Sequence, residues 1–322
     1  MILAGDIGGT KTLLGLFDSV PARPKPIAVR TFGTLDFSDL PSMIARFMEG
    51  EGARSVSIAN ACFGVAGPVI GESAELTNVP WRVDGRIVAT TFGMTRVTLL
   101  NDLQAMAYSI PVLQASEVHA LQEGEALRGG NIALIAAGTG LGEALLHNVD
   151  GRFVPSPSEG GHADFSARTE REMSLVRHLT ARYGRADVEH VVSGRGLINI
   201  HRAMHSAACV AAIDLGHPAA PAAISTAAIE HQCPGCVETL DLFIEAYGAE
   251  SGNLALRSVS TAGLYVGGGI APKILPALST GLFMRAFLAK PPLEEMLNRM
   301  PVKVILNSEA GLLGAAVYAA GS

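Results

Sequence analysis

A short polar loop in the middle of the chain carries a carboxylate and an imidazole separated by two glycines. Glu159 and His162 flank Gly160-Gly161. Because glycine allows tight turns and close approach of a ligand, both side chains can face one small polar pocket. A pocket of this kind suits a polyol. The same residues also fit an ordinary surface loop with an incidental histidine, because short glycine-containing motifs are weak evidence by themselves.

A second polar pair follows a short apolar run. Residues 97–100 are typical of a strand that delivers Asn101 and Asp102 at its C-terminal end, ahead of an apolar helical stretch at 103–110. Ligands collect at such strand ends in α/β sheets. An amide beside a carboxylate can hold two neighbouring hydroxyl groups. The pair also fits a helix N-cap, and both roles can coexist.

Two glycine turns indicate phosphate binding. Gly8-Gly9 lies between two short aliphatic runs and predicts a β-hairpin with exposed backbone N–H groups at its tip. Thr10 and Lys11 add a hydroxyl group and a cation, so the tip can hold phosphate oxygens, while Asp6 can hold Mg²⁺ through water. An ordinary hairpin remains the alternative.

The second glycine turn comes about half the chain later, in 138–142, again between two aliphatic runs. This repetition suggests a duplicated architecture with a nucleotide held between the halves. These glycine turns are neither a Walker P-loop nor a Rossmann turn, because the glycines of both those motifs lead into a helix, whereas here they join two strands. A third cluster, 267–269, ends a strand and would let a flat adenosine lie against the backbone, although a plain strand-to-helix loop fits it too.

Composition limits the classes of function. The chain has 322 residues, enough for two domains, and 48% of them are hydrophobic, which indicates a compact globular protein. A formal net charge of −6 without a basic run argues against nucleic acid or an anionic membrane as a partner. The start of the chain does not resemble a signal peptide, and the most apolar segment, 132–146, is too short to span a bilayer. We therefore expect a cytoplasmic protein.

The cysteine pattern predicts free thiols. Four cysteines are too few for a disulfide framework in a chain of this length. Cys233 and Cys236 have the spacing of a redox motif, but a zinc site would need two more ligands nearby, and His231 offers only one. We therefore expect structural or incidental use of this pair and no stoichiometric zinc.

Taken together, these motifs resemble the bacterial ATP-dependent glucokinase family in order and spacing from one end of the chain to the other. The resemblance implies an α/β protein with the two-domain actin-like ATPase (ribonuclease H-like) fold and its active site in the interdomain cleft. The motifs that carry it are Asp6-Ile7-Gly8-Gly9-Thr10, Asn101-Asp102, Gly138-Thr139-Gly140-Leu141-Gly142, Glu159-Gly160-Gly161-His162, Glu189 before Ser193-Gly194, Gly267-Gly268-Gly269-Ile270 and Gly311-Leu312-Leu313-Gly314-Ala315.

The resemblance also implies roles for individual residues. Asp102 would be the general base, and Asn101, Glu159, His162 and Glu189 would bind sugar hydroxyls. Residues 1–112, completed by a C-terminal helix at 303–322, would form a small α/β domain, and 113–302 a large one. Asp6 would hold Mg²⁺, and ATP would contact Gly5, Asp6, Ile7, Gly8, Gly9, Thr10, Lys11, Gly138, Thr139, Gly140, Gly267, Gly268 and Gly269.

The residue after the first Gly-Gly-Thr turn departs from the family pattern. Lys11 stands where many members of this family carry asparagine, and Gly-Gly-Thr-Lys is common in the related ROK sugar kinases and repressors. ROK proteins usually carry a zinc-binding cysteine cluster shortly after the loop that matches 159–162, whereas residues 163–171 contain no cysteine. His162 is therefore predicted to be a sugar ligand and not a metal ligand.

With these motifs, the resemblance implies a kinase that transfers the γ-phosphoryl group of Mg²⁺-ATP to the 6-hydroxyl of glucose. Closure of the domains would exclude water, which otherwise competes as acceptor. The alternatives are a kinase for another hexose, such as fructose or an N-acyl amino sugar, and a non-catalytic sugar sensor on the same fold. In a non-catalytic sensor, Asp102 or a phosphate loop would be replaced, and this sequence keeps both. A homodimer is a family-level expectation.

Overall fold

The computed structural model describes residues 1–20, 22–50, 56–76, 79–205 and 209–321. Within these ranges the strands are β1 (Ile2–Ile7), β2 (Lys11–Phe17), β3 (Pro26–Gly33), β4 (Asn60–Val65), β5 (Val69–Ile70), β6 (Ser73–Glu75), β7 (Arg82–Asp84), β8 (Arg96–Asn101), β9 (Val118–Gln122), β10 (Ile132–Ala137), β11 (Leu141–Val149), β12 (Arg152–Ser158), β13 (Gly263–Gly267) and β14 (Val302–Ile305). The α-helices are α1 (Leu40–Met48), α2 (Gly85–Phe92), α3 (Asp102–Ser109), α4 (Glu170–Tyr183), α5 (Gly194–Met204), α6 (Ala220–Ile229), α7 (Pro234–Ser258), α8 (Leu275–Leu278), α9 (Leu282–Leu288), α10 (Glu294–Arg299) and α11 (Ala310–Gly321).

The chain divides into two compact units. The first unit is Met1–Gln114 with Asn307–Ser322, and the second is Ala115–Leu306. The main sheet of the first unit has the order β3-β2-β1-β4-β8, and β5, β6 and β7 form a separate small sheet. Strands β1, β2 and β3 are antiparallel neighbours, whereas β4 and β8 run parallel to β1. Helices α3 and α11 pack together beside β1 and β4.

The second unit repeats this plan. Its sheet has the order β12-β11-β10-β13-β14-β9. The first three strands are again an antiparallel series, and β13 and β14 again run parallel to the strand that opens the hairpin. Strand β9 adds an antiparallel edge. Both glycine turns therefore occupy the same topological position, as the predicted duplication requires.

Helix α7 runs through the core of the second unit. The sequence of 240–256 predicts a helix, and α7 includes this stretch and extends beyond both of its ends. Phe243 and Tyr247 are fully buried, because α5, α6 and α9 pack around the helix. Among the described residues, we find no helix with the length and apolar character needed to cross a membrane.

The C-terminal segment differs from the predicted helix at 303–322. Strand β14 occupies Val302–Ile305, and α11 begins only at Ala310. Asn307 caps its start by accepting a hydrogen bond from the Glu309 N–H group (2.8 Å). The alanine-rich, proline-containing sequence of 207–223 predicts a surface excursion. It lies partly outside the described residues, and its end forms the start of α6.

Candidate functional site

The first glycine hairpin joins β1 to β2 as predicted. The Gly8 N–H group donates to the Lys11 carbonyl (3.1 Å) and closes the turn. Thr34, a residue outside the hairpin sequence, also stabilises the turn. Its N–H group donates to the Thr10 carbonyl (3.0 Å), and its hydroxyl group donates to the Gly8 carbonyl (2.8 Å). The turn is thus held in shape by the protein itself, with Thr10 and Lys11 exposed at its tip.

Asp6 lies near the end of β1, next to this turn. Burial and the neighbouring Asp102 carboxylate raise the pKa of Asp6 to about 6, while Lys11 opposes the shift. Gly311, in the first turn of α11, makes room for the carboxylate, because an added Cβ would lie 2.7 Å from Asp6 Oδ2. Two carboxyl groups that oppose each other's ionisation favour a nearby cation, so this donor set fits a Mg²⁺ ion.

Asn101 and Asp102 lie where β8 ends and α3 begins, as predicted. Asn101 Oδ1 accepts hydrogen bonds from the Leu103 (3.0 Å) and Gln104 (3.4 Å) N–H groups and caps the helix. Asp102 Oδ1 also accepts from the Leu103 N–H group (2.8 Å). The helix-cap role considered for this pair is therefore present, and it orients both side chains at the C-terminal ends of the parallel strands.

The second glycine hairpin joins β10 to β11. The Gly138 N–H group donates to the Gly140 carbonyl (2.8 Å) across the turn. The Gly194 N–H group, at the start of α5, donates to the Gly138 carbonyl (2.8 Å). Thr139 is exposed at the tip. The turn is therefore braced by the first residue of a helix, as the first turn is braced by Thr34.

The third glycine cluster packs against the same hairpin. Gly268 has a φ of 83°, and an added Cβ would lie 2.3 Å from the Ala137 carbonyl oxygen, so only glycine fits this approach. The Ile270 N–H group donates to the same carbonyl (3.2 Å). Tyr247 joins the two segments, because its buried hydroxyl accepts from the Ala137 N–H group (3.2 Å) and donates to the Gly267 carbonyl (3.4 Å). No local sequence pattern points to this tyrosine.

The 159–162 loop is a tight turn after β12. Gly160–His162 form one 3₁₀ turn, and the His162 N–H group donates to the Glu159 carbonyl (3.0 Å). The Glu159 and His162 side chains are both exposed. His162 Nδ1 lies 3.6 Å from Asp187 Oδ2, so the imidazole has a carboxylate beside it. The two predicted ligands thus share one turn and remain accessible.

Glu189 connects this loop to the second hairpin. Its N–H group donates to the Gly161 carbonyl (2.8 Å), and its Oε2 accepts from the Leu141 N–H group (2.9 Å). An added Cβ at Gly140 would lie 2.4 Å from the same Oε2 atom, so glycine there makes room for the carboxylate. The second unit therefore brings Glu159, His162 and Glu189 together with the turn at 138–140.

Glu143 is a further residue of this region that the sequence analysis did not single out. It is 1% exposed on β11, and an added Cβ at Gly160 would lie 2.1 Å from its Oε2 atom, so its carboxyl group supports the 159–162 loop from beneath. Burial and the nearby Glu250 raise its pKa from the ordinary value of 4.5 to about 7, against the attraction of Arg257. The available signal was a carboxylate inside the apolar run 141–146.

This shift predicts a pH dependence of stability. The unfolded chain loses the Glu143 proton first, so the free energy of unfolding should fall as the pH rises from 4.5 to about 7. At about 1.4 kcal/mol per pKa unit, the contribution is roughly 3 kcal/mol. Glu143→Gln should therefore be more stable than the wild type at pH 8 in urea denaturation, with a flatter pH profile. Glu125→Gln, which changes an exposed carboxylate, is the control. If the wild type and Glu143→Gln show the same dependence of stability on pH, the raised pKa of Glu143 is contradicted.

The structure corrects the premise of one expectation about the cysteines. All four are free thiols, as predicted, but Cys233 and Cys236 do not lack partners. Cys209 Sγ lies 3.9 Å from Cys233 Sγ and 3.8 Å from Cys236 Sγ, and His205, not His231, supplies the neighbouring imidazole. No local sequence pattern reveals this group, because its members are up to 31 positions apart and meet only through the packing of α5 against α7. The premise for expecting no zinc site is therefore wrong.

Known proteins show what the chain is similar to. A family model described as Glucokinase matches residues 3–322. A glucokinase from Nostoc punctiforme is 38% identical over 344 aligned residues, which cover 99% of each chain. The crystal structure of a glucokinase from an Antarctic psychrotroph matches with a TM-score of 0.87 at 29% identity, over 100% of this chain and 99% of that one. A ROK family glucokinase from Streptomyces griseus, in complex with glucose and AMPPNP, shares the fold with a TM-score of 0.68 at 21% identity, over 100% and 99% of the two chains.

The repeated sheets with their glycine hairpins, and these structural relatives, define a protein of the actin-like ATPase fold, the fold of the hexokinase-type sugar kinases. This confirms the predicted fold class. Within that class the chain belongs to the glucokinase family, because the family model and the curated relatives match it over nearly its whole length.

Proposed function

We propose that this protein is an ATP-dependent glucokinase, which transfers the γ-phosphoryl group of Mg²⁺-ATP to the 6-hydroxyl of glucose and yields glucose 6-phosphate and ADP. The observation that carries the proposal is the family match over residues 3–322, in a chain that keeps both glycine hairpins and the 159–162 loop. The alternatives of another hexose as acceptor, or of a sugar sensor, make different predictions for the acceptor panel described in the Discussion.

Asp102 is the proposed general base. A primary alcohol is a poor nucleophile at neutral pH, and a carboxylate that takes its proton as the bond to phosphorus forms typically contributes 10²–10⁴-fold in rate. The hydrogen bond from the Leu103 N–H group supports this role, because it fixes the orientation of the carboxylate. Asn101 uses Oδ1 for the helix cap, and its amide NH₂ group is the proposed donor to a sugar hydroxyl.

Glu159, His162 and Glu189 are the proposed ligands for the remaining sugar hydroxyls. Carboxylates accept hydrogen bonds from hydroxyl groups, and an imidazole can donate or accept. Their grouping around one turn supports the assignment, since Glu189 bonds to Gly161 and the other two flank it. Because Glu189 also accepts from the Leu141 N–H group, binding of the sugar and of the phosphates would be linked through this residue.

The two hairpins are the proposed phosphate loops, and the 267–269 segment the proposed adenosine contact. Backbone N–H groups at both tips, with Thr10, Lys11 and Thr139, are suited to phosphate oxygens. Asp6 is the proposed Mg²⁺ ligand, through water, and the Asp102 carboxylate beside it supports this role, because a cation would offset the repulsion between the two carboxylates. When bound, Mg²⁺ offsets negative charge on the transferred phosphoryl group.

We predict that Glu159→Gln and His162→Ala weaken glucose binding at least about 10-fold and leave ATP binding unchanged, because hydrogen bonds to charged groups contribute about 1.5–3 kcal/mol. Isothermal titration with each ligand measures both effects. Glu170→Gln and His178→Ala, at exposed positions on α4, are matched controls and should bind glucose as the wild type does. Wild-type glucose affinity in both site variants would refute these roles.

The remaining parts of the proposal concern the setting of the enzyme. We propose a cytoplasmic location, which is supported by four free thiols in a chain with the composition of a compact globular protein. Glucose and ATP are the proposed partners. The homodimer implied by the family resemblance stays a prediction.

A further inference from the structure

Three thiols and one imidazole meet in the second unit, away from the residues assigned to the reaction. The Sγ atoms of Cys209, Cys233 and Cys236 all lie within 4.8 Å of one another. Cys209 Sγ is 3.9 Å from Cys233 Sγ and 3.8 Å from Cys236 Sγ, and His205 Nε2 is 3.2 Å from Cys233 Sγ. A disulfide would need a separation of about 2.05 Å, so these sulfurs are grouped without being bonded.

The distances fit a tetrahedral metal. Zinc binds thiolate sulfur at about 2.3 Å, which places two sulfurs of a tetrahedral site about 3.8 Å apart. The two separations from Cys209, 3.9 and 3.8 Å, agree with this value. The His205 to Cys233 separation is shorter than the roughly 3.6 Å expected between nitrogen and sulfur ligands, so the imidazole needs to move by only a few tenths of an ångström.

Helix ends position the four groups. His205 is the residue that follows α5, Cys233 is the residue that precedes α7, and Cys236 lies in the first turn of α7. Gly235 makes room for the imidazole, because an added Cβ there would lie 2.3 Å from His205 Cδ2. The sequence Cys-Pro-Gly-Cys thus provides two sulfurs on one helix start and a gap through which a histidine can reach them.

The environment also favours a metal. Cys233 and Cys236 are 1% and 0% exposed. His201 is 4% exposed, its ring lies 4.5 Å from the His205 ring, and neither of its nitrogens has a hydrogen-bond partner among the described residues. A buried polar side chain without a partner is costly, so its presence beside the thiols marks this as a buried polar site.

We propose that Cys209, Cys233, Cys236 and His205 form a closed, structural Zn²⁺ site that joins the end of α5 to the start of α7. Four protein ligands leave no open position for substrate, and three thiolates with one imidazole are typical of structural zinc. The helix that it holds begins at Gly194, whose N–H group bonds to the turn of the second hairpin. The metal therefore fixes the far end of a helix that braces a proposed phosphate loop.

The test is metal content of the full-length, tag-free protein, expressed with added zinc and purified under reducing conditions. Elemental analysis should find one zinc per chain. Cys209→Ser, Cys233→Ser and Cys236→Ser should each lose it, whereas Cys62→Ala, which removes the buried cysteine of the first unit, should keep one equivalent. Removal of zinc from the wild type should lower the melting temperature by about 5 °C or more, because a structural metal binds only the folded chain.

A second measurement uses the wild type, so that it tests the site even if the serine variants do not fold. The zinc-free wild type is titrated with Co²⁺, whose thiolate charge-transfer absorption reports sulfur ligands directly. Saturation at one equivalent supports the site. His205→Ala should weaken zinc at least about 100-fold, since loss of an outer-shell partner alone costs 10–100-fold, while His201→Ala and His162→Ala should retain it.

Several outcomes would overturn the proposal. Wild-type protein with no zinc and no charge-transfer band contradicts a metal site, as does a Cys233–Cys236 disulfide found by mass analysis of the alkylated protein. Equal loss of zinc in Cys62→Ala would show that the metal is not held by this group. Zinc retained in His205→Ala but lost in His201→Ala would overturn His205 as the fourth ligand.

Discussion

Asp102→Asn is expected to lower kcat by at least ~100-fold while glucose affinity stays within several-fold of the wild type. The asparagine keeps the size of the side chain and an oxygen that accepts from the Leu103 N–H group (2.8 Å), so the start of α3 should be preserved. What it loses is the ability to take the proton of the attacking hydroxyl, a role typically worth 10²–10⁴-fold. Steady-state kinetics and glucose titration together separate the two effects.

Asp84→Asn is the matched control for this variant. Asp84 caps α2 in the same unit, where its carboxylate accepts from the Arg86 N–H group (2.9 Å). It shares the cap role of Asp102 without any proposed part in catalysis, so its kcat should equal that of the wild type. If Asp102→Asn also turns over glucose at the wild-type rate, Asp102 is only a helix cap and the base lies elsewhere.

Gly314→Ala is expected to destabilise the protein by about 3 kcal/mol or more. An added Cβ would lie 1.8 Å from the Ala105 carbonyl oxygen and 2.9 Å from the Ser109 nitrogen, both in the backbone of α3. Backbone atoms cannot rotate out of the way, so α11 and α3 would have to separate, and overpacking typically costs 1–3 kcal/mol and occasionally more. Because α3 begins at Asp102, kcat should fall as well. Urea denaturation measures the stability.

Gly321→Ala is the control on the same helix. An added Cβ at Gly321 meets no atom within 4 Å, and alanine is favoured over glycine in a helix by up to about 1 kcal/mol. This variant should be as stable as the wild type or slightly more so. Equal stability of the two variants would mean that α3 and α11 do not approach as closely as described.

Local patterns predicted much of the fold. Gly8-Gly9 and Gly138-Thr139-Gly140 each stand between two short aliphatic runs, a pattern that only a strand hairpin satisfies, and both hairpins occur. The pair Asn101-Asp102 was predicted at a strand end because the apolar period changes there, and β8 ends at Asn101. Patterns of this kind extend over a few residues, so they can be recognised without knowledge of tertiary contacts.

Other features depend on residues that are distant in sequence. Tyr247 reaches the two glycine segments only because α7 crosses beneath the sheet, and Glu143 lies under the 159–162 loop only because β11 pairs with β12. The cysteine group likewise depends on α5 packing against α7. The strand at Val302–Ile305 was included in the predicted C-terminal helix, because four residues are too few for a period to distinguish strand from helix.

Phosphorylation of a panel of sugars tests the central claim most directly. ADP release from Mg²⁺-ATP is measured with glucose, mannose, fructose, galactose and N-acetylglucosamine as acceptors. A site that hydrogen-bonds the hydroxyls of one sugar discriminates strongly against others, because mismatched hydroxyls leave buried polar groups unpaired. We predict the highest kcat/KM for glucose, with glucose 6-phosphate as the product. Preference for fructose or N-acetylglucosamine, or no ADP release with any sugar, would contradict the account.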